Sequence, residues 1–153
     1  MPNGEVHYRY YKKGYWFVLP VSVILAFVNW RIAMGILAGY TFHRWCDPDW
    51  DLMGASSSEG RMVRELPVIG HFLFGISSTY GSLHRKYHRK FISHFPAVST
   101  AIRMLFVGLP VYLALHYFSV TFNPLEMWIL LGFWIGLSGA DAIHYVLDLF
   151  YGD

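Results

Sequence analysis

The chain has 153 residues, 55% of them apolar and 19% aromatic, with only 14% charged and a formal net charge of +2. Soluble domains carry about 25% charged residues, so this composition argues against an ordinary water-soluble domain and for an integral membrane protein or a deeply buried all-helical one. A charge of +2 is too small to point to nucleic acid, and the lone cysteine, Cys46, excludes an internal disulfide and a thiolate-rich zinc site.

By length the chain is one domain, 1–153. Its opening residues, Met1-Pro2-Asn3-Gly4-Glu5, lack the basic start of a signal peptide, so membrane insertion is expected to use internal segments. Four apolar helical segments follow. The first covers about 7–28, with its apolar core from Tyr15 to Val28 and Pro20 as a kink that a membrane helix tolerates. Asn29-Trp30-Arg31 reads as a short turn, and the second segment, about 32–45, is rich in Gly and Ala. Both cores are shorter than the ~20 apolar residues of a full span, which suits a tilted or shallow hairpin. A polar region, 46–97, comes next. It holds a small-residue loop at 54–61 and an apolar stretch at 67–80, read as a short helix packing under the bundle. The third segment covers about 98–118 around Pro110, and the fourth about 124–150, with Asn123 as its N-cap and Pro124 in its first turn. The expected fold is therefore all-α: an integral membrane bundle of about four apolar helices with a loop region carrying short helices.

Basic residues orient this map. With four segments, both termini and the central loop share one side. Arg9, Lys12, Lys13, Arg44, Arg61, Arg64, Arg85, Lys86, Arg89, Lys90 and Arg103 fall on or near it, and only Arg31 lies opposite. The positive-inside rule makes that side cytoplasmic.

Three polar clusters interrupt the apolar pattern. Asp141, His144 and Asp148 recur at i, i+3 and i+7, on one face of the fourth helix. Carboxylates and an imidazole inside an apolar helix need compensation, and together they form a donor set for a divalent metal. Cross-bundle hydrogen bonding is the other use for them, with Gly132, Gly136 and Gly139 allowing close helix approach. Asp49 and Asp51, two apart after Pro48, can share a cation, or can simply end the second segment. His84, His88 and His94 lie in a basic stretch that offers imidazole ligands or contacts to anionic headgroups. Under the four-segment map these clusters and His7 meet at one membrane face, whereas His116 and Glu126 fall at the other and receive no site role.

Met1-Pro2-Asn3-Gly4 with His7, the run Asp47-Pro48-Asp49-Trp50-Asp51, His88-Arg89 through Ser93-His94, and Asp141 with His144 and Asp148 also carry a resemblance. In their order and spacing the chain resembles a bacterial family of metal-binding membrane proteins, and more distantly the YdjM-like inner-membrane metal-dependent hydrolases. The resemblance implies that His7, Asp49, Asp51, His88, His94, Asp141 and His144 are metal ligands. It implies a bacterial inner-membrane location, and a remote kinship with the helical, multinuclear zinc-dependent phospholipase C and nuclease folds. The chain departs from the family pattern at Asp47, where the family has a small residue, and over 65–87, which does not align.

The function expected from all this is a metal-dependent hydrolase at the cytoplasmic membrane face, with membrane lipid around it and a phosphoester, such as a phospholipid, as substrate. The cofactor is a divalent cation, zinc first and manganese or magnesium after it, as one ion or several. Asp148 would orient His144 from outside the ligand shell. Arg89 would bind a phosphoryl oxygen, because a guanidinium fork matches phosphate. The alternative is a non-enzymatic membrane protein in which the metal is structural and the function is partner binding.

Overall fold

The computed structural model describes residues 4–52, 57–84, 95–118, 123 and 125–151. Among these there is no strand. The described residues form five α-helices, α1 (Gly4–Phe42), α2 (Ser57–Glu65), α3 (Ile69–His84), α4 (Pro96–Tyr117) and α5 (Glu126–Tyr151), and one 3₁₀ turn, Pro48–Leu52.

The first two apolar segments form one hydrogen-bonded run, α1, broken at Asn29, where the backbone leaves helical dihedrals (φ −152°, ψ 95°). A straight helix would hold Tyr11 and Tyr40 about 43 Å apart. Their rings instead stack at 5.1 Å, and the Tyr40 hydroxyl donates to the Tyr11 carbonyl at 2.7 Å. So α1 is a hairpin. Its second arm is N-capped by Asn29, whose side-chain oxygen accepts from the amides of Arg31 (3.1 Å) and Ile32 (3.3 Å). Tyr15 closes the open end by donating to the Thr41 hydroxyl at 2.9 Å. The second arm, residues 30–42, is about 20 Å long at ~1.5 Å per residue.

That arm packs on α5 through two small-residue pairs, Gly35/Gly39 and Gly132/Gly136. A methyl group on Gly35 or Gly39 would run into the carbonyl of Ile129 or Phe133, and one on Gly132 or Gly136 into the carbonyl of Ile32 or Ile36. Spaced four apart, the glycines bring the two backbones into direct contact. Gly139, expected to share this role, faces open space instead. At the start of α5 the Asn123 side chain accepts from the Leu125 amide, and the Glu126 carboxylate accepts from the Asn123 amide. This is a capping box, and it gives Glu126 a local task.

Between the hairpin and α4, Trp50, Met62, Leu73 and Tyr80 build a second core around Cys46. The stretch 54–61, expected as a loop, is helical from Ser57. Ser58 and Glu59 are buried there as partners of Asp47 and Ser77, and Met62 is fully enclosed. Tertiary partners make this helix, and a single-sequence pattern does not contain them.

Three helical runs are long and apolar enough, by length and composition, to cross a membrane: Val6–Phe42, which the hairpin folds into two arms at Asn29, Pro96–Tyr117 and Glu126–Phe150. Their outward faces expose large apolar side chains, among them Phe27 (90%), Trp16 (81%) and Leu105 (68%).

The glycine contact yields a direct test. Gly136→Ala should lose about 1–3 kcal/mol or more, the usual cost of overpacking, here against backbone that cannot yield. Gly139→Ala, with nothing within 4 Å of the added methyl, should be neutral or slightly stabilising. Thermal unfolding in detergent compares the two, and equal melting temperatures would contradict the interlock.

Candidate metal centre

The hairpin and α5 deliver one cluster of ligand atoms. His7 sits in the first turns of α1, Asp49 on the 3₁₀ turn and His144 in the last third of α5. One donor atom from each lies within 4.8 Å of the other two. The His144 Nε2 is 3.6 Å from an Asp49 oxygen. Asp148, one helical turn beyond, brings one carboxylate oxygen to 3.3 Å from that nitrogen and the other to 3.5 Å from Nε2 of His7. The two imidazoles approach to 4.2 Å between ring centres.

These separations fit a cation. Ligands at ~2.0–2.1 Å around a tetrahedral ion stand about 3.4 Å from one another, and three pairs here, His144 with Asp49, His144 with Asp148 and His7 with Asp148, stand 3.3–3.6 Å apart. The His7 Nε2 is buried without a hydrogen bond, a costly state that a metal would relieve. Two imidazoles with one or two carboxylates suit zinc and other first-row divalent ions. Asp148 was expected to orient His144 from outside. Its oxygens face Nε2 of both histidines, the nitrogens turned to the centre, which is the position of a ligand.

Asp141 stands in a layer of its own. It is fully buried and accepts hydrogen bonds from the guanidinium of Arg103, equally buried, and from the Thr100 hydroxyl. Its other oxygen faces Nε2 of His43 at 3.3 Å. Arg103 also donates to the Cys46 carbonyl. The expected ligand Asp141 is therefore spent on an ion pair that ties α4, α5, the end of the hairpin and the following loop together. It does not belong to the group that His7, Asp49 and His144 form.

A narrow pocket opens onto the cluster. His7, Asp49 and His144 line it with His43 and Asp47, and Arg44 and Arg61 stand at its edge. Both guanidinium groups approach the ring of Tyr8, Arg61 at 4.5 Å and Arg44 at 5.7 Å, and Arg44 also pairs with Glu65. Burial, reinforced by the charge of Asp49, pushes the Asp47 carboxyl above the usual carboxylate range, while Ser58 donates to it at 2.7 Å.

Of the residues expected at the site, His7, Asp49, His144 and Asp148 are brought together. His88, His94 and Arg89 lie outside the described residues, as does the side chain of Asp51. His84, at the end of α3, stacks on Tyr80 at 4.3 Å. Sequence reasoning missed His43, Asp47 and Arg61 at the pocket, and saw Arg103 only as a charge that sets topology. His43 did carry a signal, since it precedes Asp47 and Asp49 by four and six residues. Compared with protein-family models, with curated proteins and with solved structures, the chain matches none.

Removing one member of a buried ion pair strands the other. Arg103→Ala should therefore cost about 3–5 kcal/mol, read by chemical denaturation in detergent. A loss below 1 kcal/mol would show that Asp141 does not depend on it. Burial pushes the Cys46 thiol up to about 12 against the pull of Arg103. Cys46 should resist maleimide at pH 8 in the folded protein and react fully in denaturant.

Proposed function

We propose that the chain is a membrane-embedded, metal-dependent hydrolase that cleaves a phosphoester at the cytoplasmic face of the bacterial inner membrane. The observation that carries this reading is the grouping of His7, Asp49 and His144, one donor atom from each within 4.8 Å of the others, with Asp148 beside both histidines, in a pocket that Arg44 and Arg61 also line. His7, Asp49 and His144 would hold a divalent cation, zinc before manganese or magnesium. Such a cation, when bound, supplies Lewis-acid polarisation and activates water at neutral pH. The chain's own part is to fix the donors and to receive the substrate. His144 and Asp148 are one turn apart on a helix that the glycine contact holds rigid, and the 3₁₀ turn brings Asp49 against them. Arg44, paired with Glu65, and Arg61, which donates to the Arg44 carbonyl, bring positive charge to the pocket lining, where a phosphoryl oxygen would be attracted. Their contact with Tyr8 limits how far either can swing.

Membrane residence is supported by the three long apolar helices and their exposed aromatic and aliphatic faces. The cytoplasmic orientation follows from the one-sided placement of Lys and Arg.

A second reading has an observation of its own. If Asp148 ligates together with His7, Asp49 and His144, the tetrahedral shell is complete, and a complete shell is the mark of a structural metal. The ion would then pin the start of α1 to the end of α5.

Elemental analysis of protein purified in detergent without chelator tests the metal. Wild type should carry at least one equivalent, His144→Ala and His7→Ala less than a tenth of that, and acid should strip it as protons compete for the imidazoles. Stoichiometric metal in both variants would sink the assignment. Cobalt-substituted protein separates the two readings. A visible spectrum that inorganic phosphate perturbs, with hydrolysis of a chromogenic phosphoester lost in His144→Ala, supports the enzyme. A spectrum blind to phosphate, with no hydrolysis, supports the structural ion.

A further inference from the structure

The outer face of α1 carries a feature that the metal centre does not use. Arg9, Lys12 and Lys13 line an open groove of about 470 Å³ with Tyr8 and Trp16. From Trp16 a second groove, about 640 Å³, continues along the same arm over Leu19, Pro20, Val23 and Ile24. Residues 9, 12, 13, 16, 19, 20, 23 and 24 follow helical spacing, so the two grooves form one stripe down a single face. Its upper part is cationic. Its lower part is apolar, with Val23 60% and Ile24 66% exposed, and Trp16 is the hinge common to both.

Positive charge at a membrane boundary is expected of any cytoplasmic-facing helix. That rule does not account for a concave basic groove running into a concave apolar one. The Lys12 ammonium rests on the Tyr8 ring (4.4 Å) and that of Lys13 on Tyr10 (5.0 Å), which holds both cations beside the groove. Tyr8 also lines the metal pocket and meets Arg61 there. The groove and the pocket are therefore neighbours across one aromatic wall.

We propose that this stripe binds one anionic phospholipid, with its phosphate among Arg9, Lys12 and Lys13 and an acyl chain along Trp16, Leu19, Pro20, Val23 and Ile24. Charge selects the headgroup, and the apolar continuation selects a lipid over a free phosphate. A lipid seated there has its phosphate across the Tyr8 wall from the metal pocket, so the stripe is a lipid-binding site separate from the place where Arg44 and Arg61 would meet a substrate phosphate, and the binding does not rest on the hydrolase reading.

The test uses the full chain, delipidated in neutral detergent and titrated with phosphatidylglycerol or phosphatidylcholine brominated on the acyl chains. Quenching specific to Trp16 is the difference between wild type and Trp16→Phe. Phosphatidylglycerol should quench Trp16 at a concentration at least tenfold below phosphatidylcholine. Each basic residue near an anionic lipid surface contributes about fivefold in affinity, so the triple variant Arg9→Gln, Lys12→Gln, Lys13→Gln should lose roughly a hundredfold for phosphatidylglycerol. It should be unchanged for phosphatidylcholine. The variant Lys12→Arg, Lys13→Arg should behave as wild type. Equal affinity for the two lipids overturns the proposal, as does a triple variant that folds by circular dichroism and binds like wild type. Full displacement of phosphatidylglycerol by micromolar glycerol 3-phosphate overturns it too, because the ligand is then a soluble phosphate. Metal content measured in the same samples keeps the two readings apart. Phosphatidylglycerol selectivity in metal-free wild type would uphold the groove while the hydrolase reading falls.

Discussion

Arg103 and Asp141 are both fully buried between two predominantly apolar helices. Taking two ions out of water costs several kcal/mol each, and their attraction offsets that only when every remaining donor and acceptor is served. Here the neighbours serve them. Thr100 and His43 face the carboxylate, and the Cys46 carbonyl faces the guanidinium. Each partner comes from a different part of the chain, so the need to neutralise one buried charge fixes α4, α5, the end of the hairpin and the loop after it at a single height. Asn29 to His43, Tyr117 to Arg103 and Glu126 to Asp141 each cover fourteen or fifteen residues, about 21–22 Å of helix.

The cluster of His7, Asp49 and His144 is built on that layer. His144 follows Asp141 by three residues and Asp148 by seven, so the helix that the ion pair anchors carries both to one face. The Gly35/Gly39 and Gly132/Gly136 contact sets the distance between the hairpin and α5. His7 can reach His144 only because the hairpin returns its first arm to the same helix. The pieces depend on one another in order: tight helix contact, buried ion pair, ligand cluster, then the arginines at the pocket edge.

The apolar segments were legible in the sequence, including the turn at Asn29 and the capping of α5, because they rest on local rules of hydropathy, capping and length. The gathering of His7, Asp49, His144 and Asp148 on one side was also legible, since segment count and the placement of Lys and Arg bear on it without reference to the ligands. The division of labour among the acids was not. Asp141, His144 and Asp148 form one stripe in the sequence, yet Asp141 is consumed by Arg103, a residue thirty-eight positions away. Helix α2 escaped notice for the same reason: Met62, Ser58 and Glu59 make it a buried helix only through partners far along the chain.

By itself, the sequence determined that the chain is helical, rich in long apolar segments, and supplied with imidazoles and carboxylates that its topology collects at one end. Those properties follow from periodicity and composition, which act over a few turns. Only the tertiary structure decided which acid faces an arginine and which faces two imidazoles, and that His43 and Arg61 join the pocket. Partner choice depends on the distance between elements. That distance is set by glycine contacts and by the cost of an uncompensated buried charge, neither of which shows in the spacing along one helix.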